Sequence, residues 1–156
     1  MKRDNLREDD MLAVYGVYLE SKGFKLFSIS GNQQGRYWYN IDEYRKGPDI
    51  VAVKGDMILI GEGKLRSRDL FLSNTKGVSD YEAIKYLLDS PKAYSQLMHK
   101  IEDSCKKVGM VFPEQGFIKG IIVGGNPFDN LLSLIDDLRV GYVYVDMEKG
   151  IVKEKL

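Results

Sequence analysis

Residues 48–64 read PDIVAVKGDMILIGEGK. Two apolar runs, 49–54 and 57–62, flank Gly55-Asp56, a dipeptide suited to a two-residue hairpin turn. With the turn at that point Lys54 faces Met57. Stepping outward one residue at a time on both strands brings Asp49 opposite Glu62, and a four-residue turn centred on the same point keeps the pairing. Residues directly opposed on one face of an antiparallel pair hold their Cβ atoms about 4.5–5.5 Å apart. Side chains alternate along a strand, so Lys64, two residues beyond Glu62, shares the face of both carboxylates. Val51, Val53, Ile58 and Ile60 lie on that face too, and Ile50, Ala52, Met57 and Leu59 on the other. Strands apolar on both faces belong inside a covered sheet. The two carboxylates are therefore predicted at the end of central strands. Opposed like charges destabilise a strand pair, and a bound divalent cation turns that repulsion into a binding site.

Outward from the hairpin, the pattern predicts a helix over 6–22, where Met11, Leu12, Tyr15, Tyr18 and Leu19 recur at three- and four-residue steps before Gly23. A strand over 25–29, a polar loop over 31–35 and an aromatic strand over 36–41 follow. Residues 79–107 read as mainly helical, interrupted near Ser90-Pro91 because proline disfavours helix in the residue before it. A strand over 117–123, a helix over 127–139 with Asn126 as N-cap and Pro127 in its first turn, and a strand over 142–146 complete the chain. That last strand–helix–strand unit predicts a right-handed parallel crossover. The order is helix, β-meander, long helix, strand, helix, strand. It predicts an α/β protein whose central mixed sheet is flanked by helices. The 156 residues fit a single domain over 1–156.

Composition removes several chemistries. Cys105 is the only cysteine and His99 the only histidine. An internal disulfide, a multi-cysteine zinc site and a His-rich metal site are thereby excluded, and Ser-His-Asp or Cys-His catalysis is disfavoured. A metal held here needs oxygen ligands, which selects Mg²⁺, Mn²⁺ or Ca²⁺. Lys plus Arg equals Asp plus Glu at 23 each, so a phosphate backbone would have to meet a local basic surface. No apolar run approaches the roughly 20 residues of a membrane span. Residues 1–10 are charged, unlike a secretory signal. The expectation is a cytoplasmic protein with no membrane partner.

Pro48-Asp49, twelve intervening residues, then Glu62-Gly63-Lys64 resembles the motif of the PD-(D/E)xK nuclease superfamily, which includes restriction endonucleases, archaeal Holliday junction resolvases and viral and repair nucleases. The resemblance extends to element order. The family's αβββαβ core, with a hairpin carrying the motif, corresponds to residues 6–123, and a further αβ unit is common in it. Gly63 departs from the pattern, standing where the family more often has an apolar residue. The resemblance implies a restriction-endonuclease-like fold and a Mg²⁺-dependent deoxyribonuclease, an endonuclease in the first instance, in which Mn²⁺ substitutes. Asp49 and Glu62 would be metal ligands, with the Gly63 main-chain carbonyl as a third, and Lys64 the catalytic lysine. The family often adds an acid from the first helix. Glu8, Asp9 and Asp10 are candidates, and Glu8 continues the face of Leu12 and Tyr15. Glu8 equally fits an acid complementing the dipole in a helix's first turn. Gln96, within Ala93-Tyr94-Ser95-Gln96-Leu97, resembles the glutamine some members carry after the lysine, although a solvent-facing helix position fits it better.

Lys64, Arg66 and Arg68 alternate, so a continued strand would project them to one side as phosphate contacts; a solvated strand end reads as well. Arg36, with Asn32, Gln33, Gln34 and Trp38, could contact nucleic acid, or form a polar loop and packed strand. DNA is the expected partner. Cutting both strands of a duplex with one site per small chain suggests a homodimer. The contrasting possibility is a catalytically inactive nucleic-acid-binding or assembly module on the same fold.

Overall fold

A computed structural model describes residues 2–29, 37–71, 77–114, 116–125 and 140–155. The chain begins with α1 (Lys2–Ser21) and β1 (Lys25–Ser28), then β2 (Tyr39–Ile41), β3 (Tyr44–Lys46), β4 (Ile50–Lys54) and β5 (Met57–Lys64). A short 3-10 helix, Ser67–Phe71, leads to α2 (Asp80–Asp89) and α3 (Pro91–Lys107), and β6 (Phe117–Gly124), β7 (Val140–Asp146) and β8 (Ile151–Lys155) follow. Six strands form one mixed sheet in the order β1-β4-β5-β6-β7-β8. β1, β4 and β5 are antiparallel, β5, β6 and β7 run parallel, and β8 returns antiparallel to β7. The protein is thus α/β with a central mixed sheet, as its sequence pattern predicts.

The hairpin has the predicted register. Lys54 pairs with Met57, and the ladder runs outward to Ile50 opposite Gly61, one step short of Asp49 and Glu62. Gly55 takes a φ of 55°, the left-handed conformation that a tight turn needs and glycine adopts without steric cost. Both faces of β4 and β5 are covered. Val51, Val53, Ile58 and Ile60 pack with Ala83 and Leu87 of α2, Ala93, Leu97 and Ile101 of α3, and Tyr37, Tyr39 and Ile41. Ile50, Ala52 and Leu59 pack on the other face with Met11, Leu12, Tyr15 and Leu19 of α1. Full burial of each such side chain stabilises by about 1.5–3 kcal/mol relative to exposure, and this double layer holds the hairpin in place.

The break at Ser90-Pro91 divides the helical stretch as expected. Ser79 caps α2 in a reciprocal capping box with Glu82, and Ser90 caps α3, which has proline in its first turn. Three features differ from the sequence pattern. Residues 39–41 leave the main sheet and pair with Tyr44–Lys46 as a separate hairpin, turning at Asp42 with a φ of 53°. Tyr37, Tyr39 and Ile41 are drawn instead into the core under α2 and α3. The strand does not continue through Arg66 and Arg68: β5 ends at Lys64 and Ser67–Phe71 winds into the 3-10 helix, its turn fixed by Asp69 N–H donating to the Arg66 carbonyl. β8 is an additional strand at the sheet's edge, tied to α1 where the Tyr18 hydroxyl donates to Glu154. The predicted helix over 127–139, with Asn126, and the loop over 31–35, with Arg36, lie outside the described residues. Among the described residues no helix is long and apolar enough to cross a membrane.

Candidate active site

The predicted cluster gathers at the carboxyl end of β5, beside that of its parallel neighbour β6, where open α/β sheets commonly bind ligands. Asp49 lies immediately before β4. Its Oδ2 accepts a 3.0 Å hydrogen bond from the Gly63 N–H. In an antiparallel ladder a residue's N–H and C=O point toward the same neighbour. The Gly63 carbonyl therefore also points to the Asp49 side of β5, beyond the last pair of the β4–β5 ladder, Ile50 with Gly61.

Glu62 sits at the centre and is buried, with 1% of its surface exposed. The Asp49 carboxylate stands within hydrogen-bonding reach of it. Burial first, and the Asp49 charge second, push the Glu62 carboxyl well above the usual carboxylate range, against the opposing pull of Lys46. The Lys46 ammonium lies 3.1 Å from Glu62 Oε1, an ion-pair distance, and the two Glu62 oxygens have no other hydrogen-bond donor among the described residues. A buried carboxylate in that condition is costly to hold.

Lys64 projects from the same face as Glu62. It pairs with Asp80 at 2.8 Å, and Asp80 also lies 3.2 Å from Lys46. Asp80 is the first residue of α2, placed there by the Ser79 capping box. Its carboxyl is held below the usual range: burial opposes ionisation, but Lys46 and Lys64 together outweigh it. The Lys64 ammonium is displaced upward, since pairing with Asp80 and the charges of Glu8 and Asp49 exceed the effect of burial. The result is a chain of alternating charge, Glu62, Lys46, Asp80, Lys64.

Glu8 reaches this end of the sheet from α1 on the opposite face. Its Oε2 accepts a long, 3.4 Å hydrogen bond from the Leu65 N–H. Burial, and then the Asp49 charge, raise its carboxyl, while Lys64 pulls it down. Two glycines permit this packing. A Cβ on Gly63 would lie 2.6 Å from Leu12 of α1, and one on Gly61 would lie 2.7 Å from Ile121 of β6. The side of β5 away from Glu62 is thus filled by α1 and β6 alongside Gly61 and Gly63.

The structure brings Asp49, Glu62, Gly63, Lys64 and Glu8 together. Arg66 is exposed and ion-pairs with Asp69 at 3.2 Å. Arg68 falls within the 3-10 helix, and its side chain, like all of Arg36, lies outside the described residues. The Gln96 side-chain oxygen accepts from the Asn40 N–H at 2.9 Å, pinning β2 to α3. The Trp38 ring meets Arg45 and Lys100, 4.2 and 4.0 Å from its centroid. Cys105 is buried and His99 is exposed on α3.

Sequence reasoning missed Lys46 and Asp80. Lys46 stands three residues before Asp49, a proximity that carries no letter pattern. Asp80 had a usable signal in Ser79-Asp80-Tyr81-Glu82, whose capping box fixes it at a helix start. Among the described residues no group of three or more His, Cys, Asp or Glu stands at metal-holding spacing. The carboxylate pair nevertheless fits a hard divalent cation: Glu62 offers two buried oxygens lacking hydrogen bonds, beside the Asp49 carboxylate and the Gly63 main chain.

No family model matches the sequence, and no curated protein matches it. Among solved structures, the chain is similar to the crystal structure of an XisH family protein from Nostoc punctiforme, at 12% identity and a TM-score of 0.44, over 95% of this chain and 100% of that one. The likeness is a distant one of fold.

Proposed function

We propose that this protein is a divalent-metal-dependent nuclease that hydrolyses DNA phosphodiester bonds as an endonuclease. The observation that carries the reading is Glu62: a carboxylate buried at the end of a central strand, beside Asp49, with both oxygens lacking a hydrogen bond. One ammonium, that of Lys46, stands against this pair of carboxylates at Glu62 Oε1, and a divalent cation would satisfy both acids at once.

In this reading Asp49, Glu62 and the Gly63 carbonyl hold Mg²⁺, for which Mn²⁺ substitutes, with Glu8 as a fourth oxygen source. The bound ion supplies a Lewis acid for a phosphate oxygen and a water acidified for attack on phosphorus. Lys64, kept cationic and oriented by Asp80, stabilises the negative charge that grows on the phosphoryl oxygens. Arg66 and Arg68, just beyond β5, and Arg36 are the proposed phosphate contacts, with Gln96 acting through the hairpin it pins. A homodimer would bring two such sites to the two strands of a duplex, and the mass in solution by light scattering tests it. A monomer that cuts both strands at full rate would remove that part of the reading.

The test is cleavage of single-stranded, duplex, flap and four-way-junction DNA with Mg²⁺, Mn²⁺ or EDTA. Asp49→Ala and Glu62→Ala are expected to remove both Mn²⁺ binding and cleavage. Lys64→Ala should lower cleavage by about 100- to 1,000-fold, the scale of losing one electrostatic contact to a transition state, while DNA binding persists. Unchanged Mn²⁺ binding and cleavage in Asp49→Ala would overturn the assignment.

A second reading is favoured by one observation. The carboxylates already meet a cation in Lys46, and among the described residues no three-acid cluster stands at metal-holding spacing. A metal-free nucleic-acid-binding or assembly module would have this arrangement. Wild-type protein that binds DNA but neither Mn²⁺ nor Mg²⁺ would establish it.

A further inference from the structure

Lys46 enters the site from outside its sheet. β3 belongs to the separate two-stranded hairpin, and only Gly47 and Pro48 separate Lys46 from Asp49. The hairpin is fixed in position: the Tyr39 hydroxyl donates to the Ala83 carbonyl, and Asn40 N–H donates to Gln96. The Lys46 ammonium therefore arrives on a constrained stem, with only 13% of its side chain exposed. It meets Glu62 at 3.1 Å and Asp80 at 3.2 Å. Lys64, the other amine of the cluster, has its ion pair with Asp80 instead.

Two cations cannot both be held closely by one buried carboxylate without repelling each other. Among the described residues the one ammonium beside Glu62 is shared, 3.1 Å from Glu62 Oε1 and 3.2 Å from Asp80 Oδ1. Such an imperfect pair is one that a better-coordinated cation can displace. Asp80, within reach of the same ammonium, offers Lys46 an alternative anion when Glu62 is taken.

Resting on the metal-binding reading above, we infer that Lys46 is the resident counter-ion of Glu62 in the metal-free protein and limits divalent-cation affinity by competing for that carboxylate. Lys46 is thus a positioning residue that neutralises the buried charge until a metal replaces it. Neither the motif nor the proposed hydrolysis requires it. Removing the ammonium while keeping an apolar stem of similar length should tighten metal binding, since the metal then displaces nothing.

The experiment is calorimetric titration of wild type, Lys46→Met and Lys46→Gln with Mn²⁺ alone, alongside thermal melts in EDTA and in Mn²⁺. The expected result is Mn²⁺ binding about 5- to 150-fold tighter in Lys46→Met, the usual range for coupling between two bound species. That variant should melt below wild type in EDTA, because Glu62 has lost its counter-ion, and regain the difference in Mn²⁺. Lys46→Gln gives the same comparison if the methionine variant does not fold. Binding by Lys46→Met but not by wild type would support the inference in its strongest form. Binding by wild type that is equal or weaker in the variants would overturn it and leave the nuclease reading standing. Absence of Mn²⁺ binding in all three would overturn both.

Discussion

Asp49 carries two duties that its substitutions separate. Its Oδ2 accepts the Gly63 N–H, and its charge repels the buried Glu62. Asp49→Asn keeps an oxygen for the N–H and removes the charge. At pH 8 in EDTA this variant is expected to be more stable than wild type by about 1 kcal/mol, which raises the Tm by about 2–4 °C in a domain of this size, while Mn²⁺ binding is lost. A melt that shows no gain would mean that the repulsion from Glu62 does not outweigh the attraction of Asp49 to Lys46 and Lys64. This opposition between stability and binding is common where a site stores like charge. Asp49, Glu62 and Lys64 were legible in the sequence because a strand's period of two and one tight turn fix their shared face. Lys46 and Asp80 were not, since their proximity to Glu62 depends on how a separate hairpin and the start of α2 fold back over the sheet. Local spacing does not encode that return.

At the scale of elements, α1 and β5 meet at Gly63 with no space to spare. A Cβ there would fall 2.6 Å from Leu12 Cδ2. Gly63→Ala is therefore expected to cost about 1–3 kcal/mol in chemical denaturation, as overpacked cores do. Leu12→Ala makes room for it, so the double variant should lose less than the two single losses added, by about 0.5–3 kcal/mol. Simple additivity would show that α1 shifts freely away from β5. The other clasp of α1 is Tyr18 to Glu154 on β8. The hydrogen bond to Glu154, then burial, push the Tyr18 phenol up to about 12 from its ordinary 10. The folded state holds this proton more tightly, so its contribution is complete below pH 10 and disappears as pH rises through about 12. Over that window wild type should lose more stability than Tyr18→Phe, as read by melts matched to tyrosinate absorbance. Equal losses would assign the alkaline transition to other groups. β8 itself was hidden in the sequence. Ile151–Lys155 is short and its exposed and half-buried residues alternate, as suits an edge strand, whereas the buried runs of β4 and β5 advertise themselves. Residues 39–41 carried an aromatic strand signal correctly but not their partner, because strand propensity does not say which strand will pair.

Over the whole molecule, the site exists only when five elements meet. Glu8 comes from α1, Lys46 from β3, Asp49 from the entry to β4, Glu62 and Lys64 from β5, and Asp80 from α2. An unfolded chain scatters these groups over residues 8–80, so a cation bound at the site has almost no affinity for the unfolded state, and its binding free energy becomes folding free energy. At about 100 times its dissociation constant, Mn²⁺ should therefore stabilise the wild type by about 2.7 kcal/mol, a rise of roughly 5–10 °C in Tm for a domain of this size. Glu62→Gln keeps the shape of the site but removes the charge that would hold the ion, and its Tm should not move with Mn²⁺. The comparison also separates the site from ordinary surface binding: with 23 acidic residues on the chain, exposed carboxylates can attract Mn²⁺ weakly in both proteins. An equal rise in wild type and Glu62→Gln would place the cation elsewhere and leave the central carboxylates without the metal role. A rise confined to wild type would tie the metal to the buried Glu62 carboxylate.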